Sequence, residues 1–485
     1  MISISFILLL FFSTYDLDRV NICVIIVESG KESISNIPSV SSALSVAKED
    51  CSGSMAIVDS GSIFEKKEVK AFYFFQKEGE SPPFRFLEEM GVDHTAIPPL
   101  VFEMYPERVR EEIGRSKVKA LTVNSSFSRM RETVNLGGIK IFFASFISEK
   151  GFKYLSDEVL KKWELVPPFE RFPDDPAIRD MIDSSHIKVA VFNDYFPVQY
   201  DDDDFSDMMV YFHNSFSPID VFVTDGVNFD ESKSLRQSLV SSGTSGEPVI
   251  KVLNYSLIKG ESGSSVATIL DSVKTFDPAQ FPPDSKMEEI VAVYNDKYNA
   301  IMEDGITVNF PLKCNAPGKE ECILDRIYSA ALKESVSDCG RDVDFTISYS
   351  VNKVVDLSSG EILANNLIHS LFSLYERSVY LKLSWHQITE IMNDESLHKG
   401  NRLLSLSPLN YSYSRGLEFL PSRQFRTDRE FKVAMPVSLF RVIDEMYEFE
   451  DDFCVSGTFP SNVLMNTPGF FNIRHFRPLW RVTND

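Results

Sequence analysis

From Asn21 onwards, short apolar, β-prone runs alternate repeatedly with polar or helical segments. Strands buried on both faces of a sheet have nearly continuous apolar sequences, because neither face contacts water. The alternation therefore predicts an α/β domain whose buried sheets are covered by helices. The predicted strands are Ile22–Val27, Met55–Val58, Ala71–Phe75, Val118–Val123, Ile139–Ala144, Ile187–Phe192, Ile219–Val223 and Val249–Leu253.

One strand and its loop, Ile219–Asp230, show where chemistry is expected. Ile219–Val223 is a short buried strand, and Thr224–Asn228 is the polar loop at its carboxyl end. In open α/β sheets, ligands and catalytic groups usually lie at the carboxyl ends of strands. The loops that follow the predicted strands are therefore the candidate positions for a functional site.

A second, smaller α+β domain is predicted after a proline-rich linker that starts at Asp277. Ser285 and Glu288 have capping-box spacing, which predicts a helix that starts there. The predicted segments are a signal peptide at 1–16, a first domain at 17–276, a linker with its connecting helix at 277–303, a second domain at 304–455 and a basic aromatic tail at 456–485. Ile362–Tyr375 is predicted to be helical.

Charge and the first residues limit the possible partners. The net charge of −22 repels phosphate backbones, so we expect no nucleic-acid partner.

The apolar run Ile2–Phe12 is shorter than the ~20 residues of a membrane-spanning helix and is typical of the core of a secretory signal. An ordinary buried first strand remains the alternative. We therefore expect a secreted or secretory-pathway protein without a membrane span.

The six cysteines include no Cys-x-x-Cys pair, which argues against a zinc ribbon or a thioredoxin-like site. Cys314 and Cys322 flank a Pro-Gly turn and are the expected disulfide pair. Cys23 lies in a predicted core strand and is expected to be a buried free thiol.

The order of these segments resembles the 5′-nucleotidase family, which has an N-terminal calcineurin-like metallophosphoesterase domain, a linker helix and a C-terminal nucleotidase domain. The resemblance covers Asn21 to about Phe453. It rests on spacing and hydrophobic pattern, and on Gly360–Ile362, Leu381–Ile388 and Leu404–Leu409 in the second domain. It implies a metallophosphoesterase-like double-sheet sandwich covered by helices, followed by a smaller α+β domain.

The resemblance also implies metal ligands at strand ends, because the family's chemistry uses two divalent metals. In the first family motif, Asp-x-His-Gly, the Asp and His positions correspond to Val27 and Ser29. The second, Asp-x-Gly-Asp, resembles Asp59–Ser62, with Ser62 in the place of the bridging carboxylate. The third, Gly-Asn-His-Glu, corresponds to Pro98–Val101, which offers no ligand.

The remaining motifs lie on later strands. The fourth, a strand that ends in Ser-His, resembles Val189–Asp194, with Asp194 at the His position. The fifth, Asp-x-x-x-Gly-Gly-His-x-His, corresponds to the opening stretch, with Gly226 and Asn228 at the two His positions. We therefore assign no catalytic residue and no metal site. The alternative that stays open is a divalent metal held by Asp59, Asp194, Asp225 and Asn228.

The second domain departs from the family as well. The family's Asn-Gly-Gly-x-Ile-Arg loop corresponds to Tyr349–Val354, and its Gly-Gly-Asp-Gly-Tyr loop corresponds to Val442–Tyr447. Substrate-binding residues are therefore unassigned. The sequence predicts a catalytically degenerate 5′-nucleotidase-like protein with a binding or structural role and an unidentified protein partner. The alternative is a divergent metal-dependent phosphohydrolase that acts on nucleotides or other phosphate esters.

Overall fold

The fold is taken from a computed structural model that describes residues 19–75, 81–104, 106–121, 132–147, 152–165, 176–193, 219–225, 239–243, 247–259, 265–308, 311–314, 323–340, 342–349, 355–371, 376–398, 404–407, 430–447, 449 and 453–466. The chain forms two compact units. The first comprises Met1–Lys153 and Trp163–Asn295, and the second comprises Tyr154–Lys162 and Asp296–Asp485.

The first unit contains two mixed sheets. Its described strands are β1 (Arg19–Glu28), β2 (Ser54–Asp59), β3 (His94–Ala96), β4 (Lys119–Leu121), β5 (Glu132–Leu136), β6 (Ile139–Ile147), β7 (Ile187–Asn193), β8 (Val221–Asp225), β9 (Leu239–Gly243), β10 (Val249–Lys259) and β11 (Ser265–Phe276). The order in one sheet is β11-β10-β1-β2-β3-β4, and in the other it is β5-β6-β7-β8-β9. β1 to β4 run parallel, as do β6 to β9, whereas β10, β11 and β5 pair antiparallel with their neighbours.

The core of the first unit lies between the two sheets. Side chains from both, such as Val24 and Val58 on one and Phe143 and Val223 on the other, belong to one buried cluster. Burial on this scale stabilises the unit by roughly 1.5–3 kcal/mol for each large apolar side chain. The predicted double-sheet α/β architecture is confirmed.

Helices cover the sheets and separate the parallel strands. Those described up to residue 303 are α1 (Ile37–Glu49), α2 (Lys67–Phe75), α3 (Pro82–Met90), α4 (Pro99–Met104), α5 (Pro106–Arg115), α6 (Asp157–Trp163), α7 (Pro176–Asp183) and α8 (Ser285–Glu303). Of these, α6 up to Lys162 and α8 from Asp296 onwards belong to the second unit. Among the described residues, no helix is long and apolar enough to cross a membrane.

The predicted strand Ala71–Phe75 is wrong, because these residues form the end of α2. Val69, Ala71, Phe72, Tyr73 and Phe74 are all buried in this helix. A helix buried on most sides has a continuous apolar sequence, which periodicity cannot distinguish from a buried strand.

The second unit is a smaller α+β assembly, as predicted. Its described strands are β12 (Gly305–Thr307), β13 (Leu312–Cys314), β14 (Phe345–Tyr349), β15 (Val355–Leu357), β16 (Ile362–Ala364), β17 (Ser378–Ser384), β18 (Leu404–Ser407), β19 (Glu430–Pro436) and β20 (Phe453–Val455). The main sheet has the order β18-β14-β19-β17-β20. The remaining described helices are α9 (Ile323–Ser335), α10 (Asn365–Leu371), α11 (Trp385–Asn393), α12 (Val437–Tyr447) and α13 (Pro460–Asn466).

Two local predictions in this half of the chain are corrected. Ile362–Ala364 forms β16, paired antiparallel with β12, so the predicted helix begins only at Asn365. The helix α8 does start at Ser285, but Asp284 caps it, accepting the amides of Lys286 (3.0 Å) and Met287 (3.3 Å) on Oδ1. A carboxylate one residue earlier thus takes the role that the capping-box spacing assigned to Ser285.

Disulfide pairing differs from the expectation for Cys23. This residue is bonded to Cys51 and links β1 to the segment between α1 and β2, so the prediction of a free thiol is wrong. A second disulfide joins Cys339 and Cys454. The proposed partner of Cys314, Cys322, lies outside the described residues.

Replacing both residues of the first bridge, Cys23→Ala with Cys51→Ala, should lower the free energy of unfolding by about 3–4 kcal/mol, because the bridge closes a loop across 28 residues. Urea unfolding of wild type and variant in non-reducing buffer measures the loss. In buffer that reduces disulfides the two proteins should unfold at the same urea concentration. A difference that persists there would assign the loss to core packing.

Candidate functional site

The loops that follow β1 and β2 form the best-defined polar cluster at a predicted site. Each loop turns through a glycine in the left-handed region, Gly30 with φ 71° and Gly61 with φ 92°. Glycine adopts this conformation at little cost because it has no Cβ. The parallel pairing of β1 with β2 brings the two turns to the same edge of the sheet.

Three serines connect the two loops. The hydroxyl oxygens of Ser29 and Ser62 lie 3.1 Å apart, and the Ser29 amide donates to Ser62 Oγ at 2.8 Å. Ser60 Oγ donates to the same Ser62 oxygen at 3.2 Å. All three side chains are buried. The residues at the sequence-predicted ligand positions 29 and 62 are therefore brought together, but as hydroxyl groups that bond to each other.

Asp59, at the end of β2, is fully buried and fixed from two sides. Its Oδ2 accepts the Gly61 amide at 2.9 Å and the Thr95 hydroxyl at 2.7 Å. These bonds hold the turn after β2 and join β2 to the neighbouring β3. The carboxylate thus has a structural role in both the turn and the sheet.

The ammonium group of Lys66 lies beneath the loop that follows β1. The side chain is fully buried, and Nζ donates to Ser29 O at 2.8 Å, Ser33 O at 3.1 Å and Asn36 Oδ1 at 2.8 Å. Burial lowers the pKa of Lys66 to about 7, and the negative charges of Glu68, Asp59 and Glu32 oppose this shift.

Glu68, in the first turn of α2, binds the same loop. Its two carboxylate oxygens accept the Ser33 hydroxyl at 2.7 Å and the Ile34 amide at 3.1 Å. Sequence reasoning missed both Lys66 and Glu68, because a charged run such as Glu65–Glu68 is normally exposed to solvent. The available signal in the sequence was that this charged run lies directly before Val69 and Phe72, which are buried in α2.

His94 lies at the start of β3 and is buried. Its ring stacks on Phe143 with 4.8 Å between centroids, and its Nε2 is 3.3 Å from Glu132 Oε2. Among the described residues, no hydrogen-bond partner reaches its buried Nδ1. Burial lowers the pKa of His94, against the charges of Glu132 and Asp93. The ring is therefore neutral at physiological pH and serves as a packed aromatic group.

The other predicted metal-binding residues are described only in part. Asp225 ends β8, but its side chain is not described, and Asp194 and Asn228 lie outside the described residues, as does Gly226. Residue Pro99 of the third motif begins α4. Within the described ranges, no group of three or more His, Cys, Asp or Glu side chains could hold a metal ion.

The divalent metals implied by the resemblance do not fit the described residues at this edge. Metal sites for phosphoryl chemistry use carboxylates, imidazoles and amides as ligands. Here the first two motifs supply neutral hydroxyls and one carboxylate whose Oδ2 already accepts two hydrogen bonds, and the buried cation of Lys66 bonds to the first motif from outside both.

The second unit has a separate open cavity of about 350 Å³, lined by His386, Thr389, Glu390, Asn393, Asp394 and Tyr447. His386 Nδ1 is 3.1 Å from Glu390 Oε2. Burial raises the pKa of Tyr447, and the charges of Glu390 and Asp394 raise it further. A cavity lined by two carboxylates repels a phosphate group. Its Tyr447 ends α12, which contains the segment that corresponds to the family's Gly-Gly-Asp-Gly-Tyr loop.

The substitution His94→Phe should reduce the acid sensitivity of the first unit while keeping an aromatic ring against Phe143. Because the folded-state pKa of His94 is lowered, the unfolded chain takes up the proton first once the pH falls below about 6.5. The wild-type free energy of unfolding should therefore fall relative to the variant as the pH is lowered from about 7.5 through about 6.5 and towards the lowered folded-state pKa, by at most about 1.4 kcal/mol per pH unit. Urea unfolding at several pH values measures this difference. A difference that does not change with pH would contradict the buried, neutral state of the ring.

Comparisons with known proteins bear on the fold of the whole chain. No protein-family model and no curated protein sequence matches it. Among solved structures, a putative 5′-nucleotidase from Staphylococcus aureus in complex with alpha-ketoglutarate is 13% identical, with a TM-score of 0.58, over 95% of this chain and 98% of that chain. The NAD nucleotidase of Haemophilus influenzae is 11% identical, with a TM-score of 0.51, over 93% of this chain and 96% of that chain. The resemblance seen in the sequence is thus confirmed at the level of the fold: the chain has the architecture of 5′-nucleotidase structures over nearly its whole length.

Proposed function

We propose that this chain is a 5′-nucleotidase-like protein that has lost metal-dependent phosphohydrolase chemistry and acts by binding a protein partner. The observation that carries this proposal is the direct contact between the Ser29 and Ser62 hydroxyls, 3.1 Å apart and buried. By the resemblance, these positions would hold an imidazole and a bridging carboxylate.

The chemistry explains why this contact matters. Two-metal hydrolysis needs anionic or imidazole ligands that hold both cations and lower the pKa of a bound water. Neutral serine hydroxyls are weak ligands, and these already bond to each other and to the backbone. Position 27, where the resemblance would place an Asp, is Val27, which is fully buried. In the first and second motifs, the side chains at positions 27, 29 and 62 therefore pack and hydrogen-bond within the protein and do not offer ligands to a metal.

The open cavity of the second unit bears on the same proposal through Tyr447, which belongs to the segment that corresponds to the family's Gly-Gly-Asp-Gly-Tyr loop. The family's nucleotidase domain binds a negatively charged substrate, whereas this cavity presents Glu390 and Asp394. A nucleotide phosphate would be repelled there. The cavity chemistry instead favours a cationic group on a partner.

The alternative is a divergent phosphohydrolase that uses Asp59, Asp194, Asp225 and Asn228. It is favoured by one observation, the position of Asp59 and Asp225 at the ends of the parallel strands β2 and β8. Strand ends of this kind are the usual place for ligands in α/β sheets. Because Asp59 accepts both the Gly61 and the Thr95 hydrogen bond on Oδ2, a metal in this alternative would bind through Oδ1.

The test is phosphate release from nucleoside monophosphates in the presence of Mn²⁺, Zn²⁺ or Mg²⁺, together with the total metal content of the purified chain. We expect release no faster than in a protein-free blank, and substoichiometric metal. Turnover that disappears in both Asp194→Ala and Asp225→Ala would overturn the proposal in favour of the alternative. The matched control is Asp220→Ala, which removes a carboxylate near the start of β8 that accepts the Lys188 amide.

We further propose that the protein acts in the secretory pathway. The apolar run Ile2–Phe12 and the two disulfides Cys23–Cys51 and Cys339–Cys454 support this location, because disulfides persist in oxidising compartments.

The location is tested by expressing the full chain in a secreting cell. Leu8→Arg with Leu9→Arg interrupts the apolar run, so the protein should be retained in the cell, since signal recognition needs an uninterrupted hydrophobic segment. The control Ser3→Arg adds a positive charge at the front of the run, where secretory signals carry one, and should leave export intact. Equal export of both variants would contradict the proposal.

A further inference from the structure

The loop that follows β1, residues 29–36, is held by one buried cation. Lys66 Nζ lies 2.8 Å from Ser29 O, 3.1 Å from Ser33 O and 2.8 Å from Asn36 Oδ1. The first, fifth and eighth residues of this loop therefore meet at a single atom. Three oxygens around one centre resemble part of the coordination shell of a hard cation.

The geometry identifies the form of the lysine that the loop binds. Carbonyl oxygens only accept hydrogen bonds, and the Asn36 amide nitrogen donates to Ser29 O at 3.1 Å, which leaves Asn36 Oδ1 to accept from Lys66. Three acceptors need three N–H donors, which an ammonium has and a neutral amine lacks. The site is thus built for a positive charge.

Carboxylates surround this charge without displacing its ligands. Glu68, Asp59 and Glu32 all interact with it electrostatically. Glu68 is fixed on Ser33 and Ile34 of the same loop, and Asp59 is fixed on Gly61 and Thr95. The loop after β1 and the loop after β2 thus share one buried cation and its compensating anions.

We propose that the ammonium of Lys66 is an internal replacement for a bound metal ion, and that it fixes the loop after β1 against the chain that follows β2. This inference rests on the proposed function, because it explains how a scaffold with altered ligand motifs keeps its strand-end loops in place. In metal-dependent hydrolases a divalent cation links such loops through side-chain ligands. Here a side chain of the protein supplies the cation, and backbone oxygens supply most of the ligands.

The role of Lys66 differs from that of an ordinary surface lysine or a simple ion pair. Two of its three contacts are to main-chain oxygens, so the substitution of any single loop side chain leaves most of the link intact. Removal of Lys66 itself leaves the half-buried Ser33 O and Asn36 Oδ1 without this donor and leaves Ser29 O with the Asn36 amide, so the link between loop and lysine is lost at a cost in free energy. The loop should therefore depend on this lysine and be indifferent to added metal.

The experiment is amide hydrogen exchange of the full chain at about pH 6, where Lys66 with its pKa of about 7 is charged, followed by mass spectrometry on the peptide that covers residues 29–36. In Lys66→Met, which keeps the length of the side chain and removes the charge, exchange in this peptide should be about tenfold faster or more. Exchange in the β2 peptide 54–58 should stay near the wild-type rate. Unchanged exchange at 29–36 in a folded Lys66→Met protein would overturn the proposal.

Lys70→Met is the matched control. Lys70 is also partly buried, lies in α2 four residues after Lys66, and has a pKa that burial lowers as well. Its charge attracts Glu65 and repels Lys31, so it does not hold the loop as the hydrogen bonds of Lys66 do. Its replacement should leave exchange at 29–36 unchanged. If Lys70→Met accelerates exchange as much as Lys66→Met, the effect is general destabilisation and the proposal fails. Lys66→Gln, which retains two donors, should be intermediate and serves where Lys66→Met does not fold.

Hydrogen exchange measured with and without a divalent metal distinguishes this inference from the proposed function. Wild-type exchange at 29–36 should be the same with Mn²⁺ and with EDTA, because the lysine already supplies the cation that links the loop. Slower exchange with Mn²⁺ would show that a metal organises the loop and would overturn the proposal. Phosphate release by the wild type would instead overturn the proposed function and would leave the comparison of Lys66→Met with Lys70→Met unaffected.

Discussion

The structure of the first unit depends on the apolar contact between its two sheets. Residues such as Val24, Phe143 and Val223 are buried in one interior, so the strands that carry them cannot shift in register without exposing apolar surface. The parallel pairing of β1 with β2 then fixes which residues end neighbouring strands. The proximity of Ser29 to Ser62 and the bond between Asp59 and Thr95 follow from that register. The polar residues at the carboxyl ends of β1 and β2 are therefore positioned by the packing of the two sheets, whatever their own side chains bind.

Much of this architecture could be predicted from the sequence, because the strands are buried and buried strands have distinctive apolar runs. Ile22–Val27, Ile139–Ala144 and Ile187–Phe192 lie within β1, β6 and β7. The failure at Ala71–Phe75 has the same physical origin, since a helix buried on most sides has the same apolar sequence. The free-thiol prediction for Cys23 failed for another reason. Burial identifies a core position, but the approach of Cys51 is set by tertiary structure.

The candidate site could be predicted less completely. The positions of Ser29, Asp59 and Ser62 were found through the resemblance to the family's first two motifs, and the glycines of these motifs at 30 and 61 have positive φ angles in the structure. The contacts that organise these turns could not be found, because Lys66 belongs to no motif and lies within a charged run. Whether a lysine at position 66 points to solvent or to carbonyl groups depends on the backbone path of residues 29–36. That path is set by tertiary structure, so the sequence pattern around Lys66 does not show it.

Turn geometry and ligand chemistry are therefore separable at this edge of the sheet. The turns require glycine at particular backbone angles, whatever the adjoining side chains do. The side chains next to the glycines need only satisfy burial and hydrogen bonding, which Ser29 and Ser62 do by bonding to each other. A bound metal would require carboxylate or imidazole ligands at these positions. The fold does not need a metal when another cation balances the negative charges of Asp59 and Glu68. A buried lysine with three oxygen acceptors meets that requirement with no demand on the side chains at positions 27, 29 and 62. The turns after β1 and β2 are thus maintained with serine at positions 29 and 62, in an architecture that resembles solved 5′-nucleotidase structures.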